Sequence, residues 1–196
     1  MPTIDEAGLD LLFRTARAHS KWTDAPVPDD TLRALFEILK YGPTSANCSP
    51  ARFLFLRTPD AKDRLSAALS SANKEKTITA PVVVIVAQDP KFHDHLPRLF
   101  PQNLSAKSWF TSNYSLTETT MVRNATLQGA YLMLAARALG LDCGPMSGFD
   151  NTKVDDIFLT EQGWKSNFLV ALGIGDSSVL PPRPPRFDFD DVCTLL

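Results

Sequence analysis

The segment Tyr41-Gly-Pro-Thr-Ser-Ala-Asn-Cys-Ser-Pro-Ala-Arg52 joins a stretch with the apolar pattern of a helix to one with that of a strand. Gly42 allows positive φ and Pro43 fixes φ, so the chain can leave the preceding helix sharply. Short side chains that donate and accept hydrogen bonds follow. They are Thr44, Ser45, Asn47 and Ser49. Such groups suit the polar edge of a planar heterocycle, so this segment is predicted to be a ligand-facing loop.

Two amphipathic helices are predicted ahead of the loop, because apolar residues recur there at i, i+3, i+4 and i+7. The first set is Leu9, Leu12, Phe13 and Ala16, and the second is Leu32, Leu35, Phe36 and Leu39. Asp29 or Asp30 can cap the second helix. The loop therefore follows directly on a helix that buries one face.

Beyond the loop, strands are predicted at 53–57, 81–87 and 167–173, with a helix over about 58–70 between the first two. The strand at 81–87 is apolar without alternation, so it is expected to be covered on both faces. The longest helical pattern spans about 116–139, and Asp150 can cap a short helix toward 159. Helices outnumber strands and no βαβ repeat appears, which predicts an α+β fold with a mixed central sheet surrounded by helices, in one domain over 1–196.

Composition excludes several classes of partner. The chain has 196 residues, 44% of them hydrophobic, and a net charge of −2, which gives no global attraction to nucleic acid or anionic membranes. No apolar run approaches the ~20 residues of a membrane helix, and the N-terminus lacks a secretory pattern, so a cytoplasmic protein is expected. Three cysteines without a C-x-x-C pair suit reduced thiols. His93-Asp-His95 lacks further ligands, so no metal site is predicted.

The segment Gly42-Pro-Thr-Ser-Ala-Asn-Cys-Ser-Pro50 resembles the P-[ST]-[ST]-x-N-x-x-P loop of the FMN-dependent nitroreductase family. The family's order continues in Asn73-x-x-Lys76, in Pro145-Met-Ser-Gly-Phe149 and in Gly173-Ile-Gly-Asp176, so the resemblance spans nearly the whole chain. Many relatives carry an aromatic residue directly after the last proline of the loop, where this chain has Ala51-Arg52. That departure makes the chain most similar to the branch of malonic semialdehyde reductases.

The resemblance implies an interlocked homodimer with two FMN sites at its interface. NADPH or NADH would serve as the electron donor in a ping-pong reaction through flavin N5. The tail Pro181-Pro-Arg-Pro-Pro-Arg186 and the aromatic residues of Phe187-Asp-Phe189 would extend over the partner subunit. The sequence alone gives these aromatic residues no place of burial within the chain.

Residues for the flavin phosphate are expected in Arg17-Ala-His-Ser-Lys21, which lies where the family carries a basic phosphate motif. The resemblance assigns Arg17, His19 and Lys21 there, with Arg183 and Arg186 closing the site from the partner chain. A solvated helix end and a charged surface tail are the alternatives for these two groups of residues.

Residues for the flavin ring come from three segments. The resemblance places Pro43, Thr44, Ser45 and Asn47 at the ring, Asn73 and Lys76 near its polar edge, and Pro145, Met146, Ser147 and Gly148 toward N5. Lys76 would stabilise negative charge at N1 and O2, a role that requires a cation. An ordinary polar loop and plain turns are the alternatives.

The substrate side is less defined by sequence. Arg52 could bind a substrate carboxylate, or it could be an ordinary arginine at the start of a strand or a phosphate contact. Trp109, Phe110 and Tyr114 could form a lid over the flavin or pack in the core. No catalytic acid is evident, and Ser45 and Lys76 are supporting candidates. The expected reaction is reduction of malonic semialdehyde to 3-hydroxypropanoate, with a broad nitroaromatic or quinone reductase and a non-catalytic flavin-binding protein as alternatives.

Overall fold

A four-stranded sheet with helices packed on both faces forms the centre of the computed structural model, which describes residues 2–196. The strands are β1 (Ala51–Leu56), β2 (Val82–Gln88), β3 (Asp142–Met146) and β4 (Lys165–Gly173). The helices are α1 (Glu6–Leu9), α2 (Asp29–Leu39), α3 (Pro59–Ser66), α4 (Ser71–Thr79), α5 (Leu96–Leu99), α6 (Ala106–Thr111), α7 (Tyr114–Ala138), α8 (Asn151–Phe158) and α9 (Phe189–Val192).

The strand order is β1-β2-β4-β3, and every neighbouring pair is antiparallel. Strands β2 and β4 are central, whereas β1 and β3 form the two edges. The α+β class is therefore confirmed. Within residues 2–196, the parallel pairing of a mixed sheet is limited to one isolated bridge between Ala18 and Cys143.

Strand β2 supplies side chains to both layers of the core. Val82, Val84 and Val86 belong to a buried cluster with residues of α2 and α7, whereas Val83 and Ile85 belong to a second cluster with residues of α3 and α8. Each fully buried side chain of this size stabilises the fold by roughly 1.5–3 kcal/mol. The prediction that this strand is covered on both faces is confirmed.

Helix α7 is the longest helix and crosses the sheet, in agreement with the helical pattern at 116–139. Asn113 caps it, since its Oδ1 accepts a 3.0 Å hydrogen bond from the N–H of Leu116. A Cβ at Gly129 would lie 2.3 Å from Cζ of Phe168, so a glycine is required here. The small residue thus admits an aromatic ring from β4.

The structure differs from the sequence predictions at several elements. The helix predicted over 58–70 ends at Ser66, and a separate helix, α4, contains Asn73 and Lys76, so the alternative of an ordinary polar loop does not apply to them. Strand β3 was not predicted, because Gly144 and Pro145 are poor strand formers.

No helix within residues 2–196 has the length and apolar character needed to cross a membrane.

Candidate functional site

The loop between α2 and β1 is held in an unusual backbone conformation. Ala46, Asn47 and Ser49 have φ of 49°, 50° and 38°, although none is a glycine. Each such residue costs of the order of 1–3 kcal/mol and persists only where the surroundings hold it in place. Strain concentrated in one short loop is typical of a ligand-binding segment.

A polar face of α7 holds this loop. Oδ1 of Asn124 accepts a 2.8 Å hydrogen bond from the N–H of Ser45, and Oε1 of Gln128 accepts one of 2.9 Å from the N–H of Ala51. The Tyr131 hydroxyl donates to the Pro43 carbonyl at 3.0 Å. Positions 124, 128 and 131 share one helix face. Sequence reasoning missed these three residues, and their only signal was polar side chains at helical spacing within an apolar segment.

The loop's own side chains divide into two roles. Oγ1 of Thr44 accepts a 3.1 Å hydrogen bond from the N–H of Ser49, and Nδ2 of Asn47 donates to the carbonyl of Leu99 in α5 at 2.7 Å. These two side chains therefore fix the loop's shape. Ser45 is exposed, and its hydroxyl makes no hydrogen bond within residues 2–196, which leaves it free for a ligand.

Arg52 has a structural role within this chain. Its guanidinium donates to Oδ2 of Asp89 at 2.6 Å and to the carbonyls of Ser49 and Ala51 at 3.1 and 2.8 Å. Asp89 is buried. These three hydrogen bonds hold the strained loop against the segment that follows β2, and the binding of a substrate carboxylate by the remaining donors of Arg52 stays a prediction.

A second group of predicted residues lies at the β3 edge of the sheet. Nδ2 of Asn73 donates to the Gly148 carbonyl at 3.1 Å, and Nζ of Lys76 donates to the Pro145 carbonyl at 3.1 Å. A Cβ at Gly144 would lie 2.4 Å from both Cε of Lys76 and the His19 carbonyl oxygen. Glycine is therefore needed for the lysine to cross β3. Pro145, Ser147 and Gly148 are exposed beside these side chains.

Lys76 is a partly buried cation. Burial lowers the pKa of its ammonium group, and it forms no ion pair with an acidic residue within the described part of the chain. Nε1 of Trp22 donates to the Lys76 carbonyl at 3.1 Å and so fixes the backbone at this position. A desolvated cation without an acidic partner favours a bound anion.

The predicted phosphate residue His19 lies inside the protein. Its side chain is 3% exposed, with Nε2 3.5 Å from Oδ1 of Asp142. A Cβ at Gly175 would lie 2.0 Å from its Nδ1, so the ring fills the space over that glycine. The prediction of a His19 side chain directed at a phosphate is therefore corrected. Lys21, in contrast, is exposed and pairs with Glu75.

Arg17 and Arg183 are brought together, whereas Arg186 is not. Arg17 donates to the Pro181 carbonyl at 2.6 Å, and Arg183 donates to the carbonyls of Arg14 and Ala16 at 2.8 and 2.9 Å. These bonds attach the start of the proline-rich tail to the N-terminal segment. Within residues 2–196, Arg186 donates only to carbonyls of its own tail.

The predicted lid residues differ in environment. Phe110 is buried and meets Phe92 edge-on with ring centroids 5.0 Å apart, so it packs in the core. Trp109 is 45% exposed and lies 6.4 Å from the ring of Phe100. Tyr114 is 80% exposed, so Trp109 and Tyr114, but not Phe110, are accessible to a ligand.

The two groups of predicted flavin residues lie at opposite edges of the sheet. The loop precedes β1, and the Lys76 group adjoins β3, with two strands between them. At a strand spacing of about 4.8 Å the edges are about 14 Å apart. No hydrogen bond or ion pair joins the groups within residues 2–196.

In the same part of the chain, no cluster of three or more histidine, cysteine or acidic residues could hold a metal ion.

The comparisons with known proteins agree on one family. The model of the nitroreductase family matches residues 14–174. A Burkholderia lata protein with the provisional name NADH dehydrogenase/NAD(P)H nitroreductase is 57% identical over 195 residues, covering 100% of both chains. Solved structures share the fold at lower identity. A provisionally described nitroreductase from Exiguobacterium sibiricum in complex with FMN has a TM-score of 0.86 at 21% identity, over 100% of this chain and 99% of that one.

A second solved structure, provisionally described as an NAD(P)H:FMN oxidoreductase from Staphylococcus epidermidis, has a TM-score of 0.85 at 17% identity. The match covers 100% of this chain and 98% of that one. At such identities these likenesses establish the fold. The family match and the full-length relative establish more: the chain belongs to the nitroreductase family.

Proposed function

We propose that this protein is an FMN-dependent NAD(P)H oxidoreductase that acts as a homodimer. The observation that carries the proposal is the partly buried Lys76, which crosses Gly144 and donates to the Pro145 carbonyl without an acidic partner in the described chain. The FMN-bound solved structure and the NAD(P)H names of relatives support the same cofactor and donor.

The residues present fit FMN. Asn73 and Lys76 supply an amide and a cation for the polar edge of the ring, and the glycine at 148 leaves room there, since a Cβ would lie 2.9 Å from Nδ2 of Asn73. Arg17 and Arg183 supply guanidinium groups for the phosphate, with Lys21 and Arg186 as further cations. When bound, FMN accepts a hydride from NAD(P)H and passes it to the acceptor.

The homodimer follows from the separation of the two groups of residues. Pro43, Thr44, Ser45 and Asn47 lie on the β1 edge, too far from the β3 edge for one flavin ring to contact both within one chain. A two-fold partner can place its loop over the β3 edge of the first chain, and the reverse holds by symmetry. Exposed apolar side chains support this arrangement. They include Leu116, Val122 and Leu127 of α7 and Phe187, Phe189 and Leu195 of the tail.

We infer malonic semialdehyde as the acceptor. The aldehyde carbon receives the hydride and the oxygen receives a proton, which gives 3-hydroxypropanoate and oxidised NAD(P). Ala51-Arg52 at the end of the loop, in place of the aromatic residue of many relatives, supports this acceptor through the resemblance to the branch of malonic semialdehyde reductases. The exposed hydroxyl of Ser45 is the loop's candidate for delivering the proton.

A visible spectrum recorded without oxygen tests this function. The purified protein, supplied with FMN, is treated with NADPH and then with malonic semialdehyde. Loss of the flavin absorbance followed by its recovery is the expected result. Absence of FMN uptake would overturn the proposal, and loss without recovery would reject the acceptor while keeping the flavoenzyme.

A broad nitroaromatic or quinone reductase is the second candidate. It is favoured by the name of the 57% identical relative and by aromatic residues, Phe36, Tyr41 and Trp164, that line an open pocket beside the loop. Values of kcat/KM for malonic semialdehyde, nitrofurazone and menadione discriminate the two. The acceptor class with the largest kcat/KM identifies the function. FMN that binds but is not reduced by NADPH would point to a non-catalytic flavin-binding protein.

A further inference from the structure

A pocket of about 640 Å³ lies beside the strained loop and shares Asn47 and Ser49 with it. Its apolar lining includes aromatic residues from α2 and β1 and Trp164. Its charged lining consists of Lys40, Arg52 and Arg98 with a single acidic residue, Asp89. The pocket therefore carries an excess of positive charge, although the whole chain has a net charge of −2.

Two of these three cations have acidic partners. Lys40 pairs with Glu37, and Arg52 pairs with Asp89 at 2.6 Å. His95 also approaches Asp89, with Nε2 3.4 Å from Oδ2. The guanidinium of Arg98 makes no hydrogen bond or ion pair within residues 2–196. The excess positive charge of the pocket is thus the free guanidinium of Arg98.

The position of Arg98 is fixed relative to the loop. It lies on α5 next to Leu99, whose carbonyl accepts the 2.7 Å hydrogen bond from Asn47. Leu96 of the same helix is buried in the cluster that contains Cys48. The helix and the loop are therefore one packed unit, and the arginine side chain is exposed at the mouth of the pocket.

We propose that Arg98 is the specificity-determining residue that binds the carboxylate of an anionic acceptor. A guanidinium can bind a carboxylate through two parallel hydrogen bonds, which fixes the orientation as well as the position of a small organic acid. In this proposal Arg52 binds the backbone of the loop, and Arg98 binds the ligand. This inference rests on the proposed oxidoreductase function, because it assigns an anionic substrate class to that site.

The same chemistry would also bind the 2′-phosphate of NADPH, so the test separates the two anions. Three variants are compared with the wild type: Arg98→Ala, Arg98→Lys and the control Lys91→Ala. Lys91 is exposed near α5 but does not line the pocket, so its removal changes only the local charge. Acceptors are used in pairs that differ by a carboxylate, malonic semialdehyde with propanal and 4-nitrobenzoate with nitrobenzene.

The expected result is a loss of about ten-fold or more in kcat/KM for the carboxylate member in Arg98→Ala, since a charge-assisted hydrogen bond is lost. The neutral member should change less than two-fold, Arg98→Lys should recover part of the loss, and Lys91→Ala should match the wild type. Equal losses for both members, or a change confined to the NADPH-to-NADH preference, would overturn the proposal.

A binding measurement without turnover completes the test. Malonate is titrated into the FMN-loaded and FMN-free protein by calorimetry, and binding is expected in the wild type and about ten-fold weaker in Arg98→Ala. Equal malonate affinity in the two proteins would contradict the inference. If the wild type does not reduce malonic semialdehyde, the nitro pair and malonate still test Arg98, so failure of the acceptor and failure of this inference give different results.

Discussion

Oδ1 of Asn124 accepts a 2.8 Å hydrogen bond from the backbone N–H of Ser45, which ties the middle of the longest helix to the strained loop. Asn124 is 3% exposed and is itself fixed, because its Nδ2 donates to the Thr120 carbonyl at 2.8 Å. The amide therefore has one orientation. Its oxygen offsets part of the backbone strain at Ala46 and Asn47.

Replacing Asn124 by Leu is expected to loosen the strained loop without unfolding the protein. The Ser45 N–H loses its partner, which costs roughly 1–3 kcal/mol, and the positive-φ residues lose a restraint. We expect FMN affinity to fall at least ten-fold, measured by flavin fluorescence, and the free energy of unfolding in urea to fall by roughly 1–3 kcal/mol. Thr119→Ala, an exposed change on the same helix, is the control. Unchanged FMN affinity in Asn124→Leu would show that the loop holds its shape unaided.

Sequence patterns predicted the elements that bury a regular face. Helices α2 and α7 were found from helical spacing and strand β2 from a continuous apolar run, and Asp150 caps α8 as predicted, with its Oδ1 accepting from the Lys153 N–H at 3.1 Å. These elements are specified locally, because the pattern of apolar residues that predicts each one lies within its own segment. The loop was recognisable because its residue types are unusual.

The remaining features depend on contacts between distant segments. Arg52 binds Asp89, 37 positions along the chain, so sequence alone could not show that part of its guanidinium holds the loop. The burial of His19 depends on Gly175 and Asp142. Strand β3 forms because β4 pairs with it, despite the weak strand propensity of Gly144. In each of these cases a tertiary contact decided the role of a residue whose own pattern was ambiguous.

The affinity for FMN should depend on pH through Lys76. Burial lowers the pKa of this amine in the free protein, and a hydrogen-bond acceptor at the polar edge of the bound ring favours the ammonium form. FMN should therefore bind tightest below the lowered pKa and more weakly as the pH rises through it. Lys76→Met should bind FMN about ten-fold more weakly at low pH, and its affinity should not fall further as the pH rises through the pKa of Lys76. Comparing the two proteins at each pH cancels the titration of FMN itself. Lys74→Met, which alters an exposed neighbour, should retain the pH dependence.

Thiol reactivity should separate buried from exposed cysteines. Burial raises the pKa of Cys48 to about 11 and that of Cys143 to about 12, so both remain protonated and unreactive at pH 8. Cys193 is exposed in the chain. Native protein should therefore react with at most one equivalent of Ellman's reagent, and urea-unfolded protein with three. Cys193→Ser should give none in the native state; any fast reaction in that variant would mean that Cys48 or Cys143 opens to solvent.

The tail provides a test of the proposed homodimer. Phe187 and Phe189 are 79% and 57% exposed within one chain, and Leu195 is 87% exposed. Burying each aromatic side chain against a partner would contribute roughly 1.5–3 kcal/mol. Phe187→Ala with Phe189→Ala should thus raise the dimer dissociation constant by about a hundred-fold or more, measured by sedimentation equilibrium.

The control for the tail variant is Ile78→Ala, which removes a side chain of similar exposure on α4. It should leave the dimer unchanged. In the proposed homodimer each flavin site needs the loop of one chain and the Lys76 group of the other, so FMN affinity should fall with dilution of the double variant and recover at high protein concentration. A monomeric wild type that still binds FMN tightly would refute both the dimer and the shared site, since one chain holds the two groups at opposite edges of its sheet.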